Sequence, residues 1–292
     1  MKYFCTTLLA LIACTTSFAQ LHESKVEVKH HYTGLIGARY KFLMNLYFDK
    51  KGNVEGEYRY YTQTEFLKVR GTYTTNPFSF NLTEAVYDWE KGEAKITGYF
   101  EGTRNVGAIT GAWFNKERTK SFPFTISTNE KSATYKVFDN SKIKDDMLTT
   151  DSIMIQYDAS RKQYLTGFLS EVSPETDVLN FEDLNFDGYL DILVVEMTGA
   201  RNTPYLYWVF DPQSGKFIRH EELGANDPVV DLQNQQIVSN WVGGAALHGT
   251  DKYIWSDADK KFFVIESTEV DLSTDKTKVT KYKVENGKSV KL

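Results

Sequence analysis

The chain has 292 residues, 41% hydrophobic and 14% aromatic, with a formal charge of −5. That length supports one large β domain or two small ones, and mild acidity without a long basic tract argues against nucleic acid as a partner. No segment beyond the N-terminal leader is long and apolar enough to span a bilayer.

Residues 1–19 read as an export signal. Lys2 supplies the positive start, FCTTLLALIA a short apolar run, and Ser17-Phe18-Ala19 the small-x-small cleavage pattern. The rival reading takes Leu11-Ile12-Ala13-Cys14 as a lipobox, with a lipid anchor on Cys14. Either route exports the protein, to the periplasm or beyond the cell. Both cysteines, Cys5 and Cys14, lie in this leader. The cleaved chain therefore carries no disulfide framework, no thiolate metal site and no cysteine nucleophile. Losing Lys2 takes the formal charge from −5 to −6.

Residues 20–128 form an N-terminal β module with a short repeat: VEGEY (54–58), VRGTY (69–73), ITGYF (96–100) and ITGAW (109–113). Alternation along a strand puts the β-branched residue, the glycine and the aromatic on one face. A glycine between two large same-face neighbours implies close strand packing or strong curvature. None of these glycines opens a helix, so a phosphate loop is not expected.

Turn signals punctuate the whole chain: FDKKGN, WEKGE and TRNVG early, then YDASRKQY, FDPQSGKF, WSDADKKF and VENGKS. Apolar strands joined by short Asp/Asn/Gly/Lys turns predict an all-β antiparallel meander. Residues 129–150 serve as a linker or a blade crossing, and 151–292 form a C-terminal β module. Evenly spaced hairpins suit either a β-propeller or two packed barrels or sandwiches.

The stretch FEDLNFDGYLDILVV (181–195) crowds Asp183, Asp187 and Asp191 together. Calcium takes six to eight oxygen ligands from carboxylates, amides and backbone carbonyls. Counting from Asp183, oxygens fall at positions 1 (Asp183), 3 (Asn185), 5 (Asp187), 7 (the Tyr189 carbonyl) and 9 (Asp191), with Gly188 at the sharp turn. Position 12 is Val194, where a helix–loop–helix calcium site needs a bidentate glutamate, and the exit DILVVEM reads as a strand. The expectation is a calcium loop on a hairpin, with further ligands from elsewhere; Glu182 and Glu196 are nearby in sequence. The plain alternative is a two-residue Asp187-Gly188 turn. That alternative leaves the oxygens at 183, 185 and 191 unexplained, along with the intervening apolar Leu184, Phe186 and Leu190.

NFEDLNFDGYLDILVV, PYLYWVFDPQSGKFIRHEEL (204–223) and IVSNWVGGAALHGTDKYIW (237–255) carry a family resemblance across roughly 178–265. They are similar to exported bacterial proteins that include a periplasmic immunity protein inhibiting a lysozyme-like effector from a rival cell's secretion system. The resemblance implies a five-bladed β-propeller with an EF-hand-like calcium loop, its ligands carried onto Asp183, Asn185, Asp187, Tyr189 and Asp191. The contacts with the hydrolase do not carry over. Integrin-type propellers use the same D-x-N-x-D-G-x-x-D motif in several copies; this chain has one.

No H-E-x-x-H or G-x-S-x-G motif occurs, and His22, His30, His31, His220 and His248 show no ligand spacing. The loop Gly243-Gly244-Ala245-Ala246-Leu247-His248-Gly249 is small and flexible enough to enter a partner's cleft, or simply joins two strands as a wide hairpin. Tyr205–Phe210 reads as a strand buried on both faces. The function these features suggest is a non-enzymatic, calcium-binding β protein that binds a protein partner, a lysozyme-like peptidoglycan hydrolase being the candidate. The alternative is an envelope carbohydrate-binding or cell-wall hydrolytic protein.

Overall fold

The computed structural model describes residues 22–27, 30–88, 93–105, 108–127, 135–199 and 201–292. The leader 1–19 lies outside them, as do residue 128 and residues 129–134 of the stretch between the two modules. All regular structure among the described residues is β-strand.

The chain enters through β1 (His22–Glu27). It then runs up and down through β2 (His30–Ile36), β3 (Tyr40–Phe48), β4 (Asn53–Tyr60) and β5 (Leu67–Thr75), and on through β6 (Phe78–Asp88), β7 (Glu93–Asn105), β8 (Ala108–Asn115) and β9 (Ser121–Ser127). β2 pairs with β9, Gly34 opposite Ile126, and closes these eight strands into a barrel. Downstream lie β10 (Lys136–Asp139), β11 (Lys142–Lys144), β12 (Met147–Thr150), β13 (Ile153–Gln156), β14 (Lys162–Leu165) and β15 (Ser170–Val172). These form two small sheets, ordered β1-β10-β13-β14 and β11-β12-β15. Next comes a four-stranded meander of β16 (Leu179–Glu182), β17 (Asp191–Val195), β18 (Tyr205–Asp211) and β19 (Lys216–Arg219). A six-stranded meander ends the chain: β20 (Val229–Asp231), β21 (Gln236–Val242), β22 (Leu247–Ser256), β23 (Lys261–Asp271), β24 (Lys276–Glu285) and β25 (Lys288–Lys291).

The all-β antiparallel expectation holds, but the five-bladed propeller does not. Strands β2 to β9 form a closed hydrogen-bonded ring, whereas a propeller needs separate four-stranded blades around an axis. The first half is thus a barrel, as the alternative of packed barrels or sandwiches would have it, and the second half is several small sheets.

The glycine repeat builds the barrel. Val54 and Tyr58 point inward with Gly56 between them, as do Val69 and Tyr73 around Gly71 and Ile109 and Trp113 around Gly111. A Cβ at Gly56, Gly71 or Gly111 would stand 2.0, 1.8 or 1.9 Å from a carbonyl oxygen of the neighbouring strand. At Gly98 the corresponding distance is 2.7 Å. These missing side chains let the strands coil tightly enough to close. The interior is then filled by Phe42, Met44, Leu46, Tyr58, Phe80, Leu82, Phe100, Phe124 and Ile126, each contributing about 1.5–3 kcal/mol of burial. A carboxylate enters this core. Glu84 accepts hydrogen bonds from the Tyr58 hydroxyl (2.5 Å), the Thr97 hydroxyl (2.5 Å) and Trp113 Nε1 (2.8 Å), which satisfies its carboxylate away from water.

The turn signals FDKKGN, YDASRKQY and FDPQSGKF become hairpins led by aspartate, while WEKGE and TRNVG fall partly outside the described residues. Asp49 accepts from the backbone N–H of Lys51 and Asn53, Asp158 from Ser160 and Arg161, and Asp211 from Gln213 and Ser214. In each case a short carboxylate satisfies the donors that the reversal leaves unpaired. The run Tyr205–Phe210 lies in β18, with Tyr207, Trp208, Val209 and Phe210 all buried, so both faces are covered.

Gly71→Ala should cost at least about 2 kcal/mol, because the added methyl meets backbone rather than a movable side chain. Gly244, with nothing within 4 Å of an added Cβ, should tolerate alanine within about 0.5 kcal/mol. Urea unfolding of both variants measures the difference.

Candidate functional site

β16 and β17 pair with Glu182 opposite Asp191, which leaves residues 183–190 outside the ladder. The connection is therefore a full loop rather than a two-residue Asp187-Gly188 turn. Phe186 and Gly188 turn it with φ of 61° and 91°. Asp183 accepts from the N–H of Asp187 (3.0 Å) and of Gly188 (2.9 Å). The Asn185 amide donates to Asp187 Oδ2 (3.1 Å), and Asp187 Oδ1 accepts from Tyr189 N–H (2.9 Å). Asp191 is fully buried and reaches both ways, to the N–H of Leu184 (2.8 Å) and to that of Phe210 in β18 (2.8 Å). The loop thus draws Asp183, Asn185 and Asp187 together and hangs on Asp191, while the Tyr189 ring packs on Phe210 at 5.2 Å.

Val194 is in the core, so position 12 of the motif offers no ligand. Glu196 stands five residues beyond Asp191 along the strand direction, on the order of 16 Å away, and its backbone pairs with Pro204. Among the described residues no three His, Cys, Asp or Glu side chains converge into a ready-made metal group. A cation held here would draw on a mixed set of carboxylate, amide and backbone oxygens, the kind of set that calcium accepts.

The electrostatics set this loop apart from the ordinary turns. At the exposed Asp158, backbone hydrogen bonds from Ser160 and Arg161 hold the carboxyl below its usual range. Asp183 receives the same kind of bonds, yet burial first, and the neighbouring Asp187 charge second, push its pKa up to about 7. Asp191 is driven well above the usual range by burial and then by Asp183. Two carboxylates share a dry site, and each of their four oxygens takes a backbone N–H. Those bonds favour the ionised form, while desolvation and mutual repulsion oppose it.

The loop also touches the barrel. Leu184 is fully buried in a core shared with Leu43 of β3, Leu193, Tyr207 and Val209, with Tyr61, Phe66 and Phe186 packed against it. Beside Leu43, its cross-strand neighbour Arg59 is 2% exposed. Its guanidinium lies 4.6 Å from the Phe66 ring centre and donates to Glu182 at 3.2 Å. Sequence reasoning missed Arg59. It sits at an outward barrel position between Tyr58 and Tyr60, where an arginine ordinarily faces solvent.

The hairpin loop 243–246 joins β21 to β22, and Gly243 N–H donates to the Leu247 carbonyl at 2.8 Å. Gly243 and Ala245 are exposed. His248 lies beside Val242 and Val270 on one sheet face, next to the row Asn240, Thr250 and Thr268. Arg201 and Asp227 flank this face to form an open cleft of about 280 Å³. His220 is packed instead, bonded to Glu222 at 2.8 Å between Trp255 and Phe262. The side chains of His22, His30 and His31 lie outside the described residues.

No protein-family model matches the chain, and no curated protein matches it. Solved structures show only distant likeness. One is described as a Xanthomonas type IV secretion system related protein, with 13% identity and a TM-score of 0.41, covering 54% of this chain and 88% of that one. Another is described as a putative 6-phosphogluconolactonase from Bacteroides fragilis, with 7% identity and a TM-score of 0.26, covering 78% and 80%. Scores this low carry no argument about function, and the chain is assigned to no family. Among the described residues no helix is long and apolar enough to cross a membrane.

Asp191→Ala strands two buried N–H groups at about 1–3 kcal/mol each, so a loss of about 2–6 kcal/mol is expected. Asp158→Ala at its exposed turn should cost less than about 1 kcal/mol. Chemical denaturation of the two variants provides the comparison.

Proposed function

We propose that this chain is an exported, non-enzymatic β scaffold, stiffened by one calcium ion in the 183–191 loop, that acts by binding a protein partner. The observation that carries the calcium reading is the buried pair Asp183 and Asp191. Four backbone N–H groups call for their ionised forms, and a divalent cation would remove the repulsion that opposes those forms. Asp183, Asn185, Asp187, the Tyr189 carbonyl and Asp191 are the residues that would hold it. A loop with three carboxylates fits the weak, sub-millimolar to millimolar class of exported modules.

The partner reading rests on the sequence resemblance, which points to a lysozyme-like peptidoglycan hydrolase. The loop tip, exposed at Gly243 and Ala245 around a half-buried Gly244 and with His248 at its base, suits insertion into a cleft. A second reading, a carbohydrate-binding or wall-lytic envelope protein, is favoured by the open cleft where Arg201, Asp227, Asn240 and His248 stand beside Trp241. A turbidity assay on purified cell walls separates them. Inhibition of added lysozyme-type enzyme supports the first, and clearing without added enzyme supports the second.

Calcium at about a hundredfold excess over its Kd should stabilise the fold by about 2.7 kcal/mol, read as a rise in Tm of several degrees that chelator reverses. Asp187→Ala should lose that rise. A wild-type melting curve indifferent to both calcium and chelator would remove the ion from the proposal.

A further inference from the structure

The calcium motif alternates its oxygens with Leu184, Phe186 and Leu190, an apolar pattern that ion binding does not require. The structure accounts for it. Leu184 and Phe186 pack into the core shared with the barrel, and Leu190 into the core behind the hairpin. Leu184 also gives its N–H to Asp191. One residue thus anchors its side chain on the barrel and its backbone on the carboxylate at the centre of the loop. Two positions earlier, Glu182 is held by Arg59 of β4. Arg59 and Glu182 lie 123 positions apart in sequence.

Arg59 is an unusual residue to bury. Its Nε has no hydrogen-bond partner, the one such buried side-chain atom found among the described residues. Buried polar groups are nearly always satisfied, so an unmet buried donor calls for an explanation. The guanidinium is confined by Phe66 on one side and Glu182 on the other. It therefore fixes the strand end from which Asp183 leaves.

We propose that Arg59 and Glu182 are positioning residues for the 183–191 loop, so that the loop reaches its ion-holding form only when the barrel is docked against it. The inference rests on the calcium reading and adds to it. Ion affinity becomes a property of both halves of the chain, and by linkage the ion must tighten the barrel junction by the same factor. Tyr61, next to the β4 strand end, packs against the same core as Leu184 and lies on the same route.

A charge-neutral test is available. Replacing Arg59 alone would also change the field at the loop, whereas Arg59→Met combined with Glu182→Met removes a cation and an anion together. Calorimetric titration of the full chain with calcium should show the double variant binding on the order of tenfold more weakly. Arg59→Lys keeps the charge and most of the bulk, and it should fall between wild type and the double variant even if the latter folds poorly. Hydrogen exchange gives the reciprocal readout: calcium should slow exchange in β4 and leave β8 unchanged. Wild-type affinity in both variants, or calcium-independent exchange in β4, overturns the inference while the calcium reading stands. A wild-type chain that binds no calcium overturns both.

Discussion

A carboxylate without water organises the downstream half of this molecule. Asp191 ends the loop, begins β17 and binds the backbone of β18, so it joins three pieces of chain through one side chain. Around it, Ile192 to Val195 and Tyr207 to Phe210 form a layer with no exposed face. Such a layer cannot solvate a charge, and the loop that wraps Asp191 must do so instead. The placement of Asp183, the positive φ at Phe186 and Gly188, and the burial of Leu184 all follow from that demand.

Local grammar was legible in the sequence because local forces decide it. The aspartates at 49, 158 and 211 lead reversals for the same reason wherever they occur. The glycines at 56, 71, 98 and 111 announced close strand approach, and the carbonyl oxygens crowding them show what approaches. The hairpin carrying the acidic loop, and the strand character of its exit, were readable from Val194 and the apolar run around it. Closure was not. Propeller blades and barrel staves share strand length, alternation and turn chemistry, and they differ only in whether the last strand finds the first. The pairing of Gly34 with Ile126 is a long-range event with no local signature. Arg59 escaped notice on similar grounds, since its burial depends on a surface supplied more than a hundred positions later.

The two halves use their polar groups differently. In the barrel, Glu84 is enclosed by three donors that the barrel supplies itself, and the carboxylate is complete there. In the loop, donors and carboxylates are balanced in number but not in charge. That imbalance distinguishes a candidate site from a packing solution. It also explains why the candidate metal residues cluster on a hairpin while the barrel interior, though richer in aromatics, presents no comparable chemistry.

The first strand carries a different consequence. β1 precedes the barrel in the chain but pairs with β10 beyond it, Glu27 opposite Lys136, a separation of roughly 110 positions. As the polypeptide emerges from its N-terminal side, this strand must wait as an open edge until the whole barrel has followed it. Its sequence, HESKVE, is rich in charge, and charged residues in an unpaired strand discourage pairing with another chain in the interval. The barrel is thereby sewn in at both ends. Its two chain ends leave side by side and are zipped together, so the assembly order of the molecule is written into which strand has to be patient.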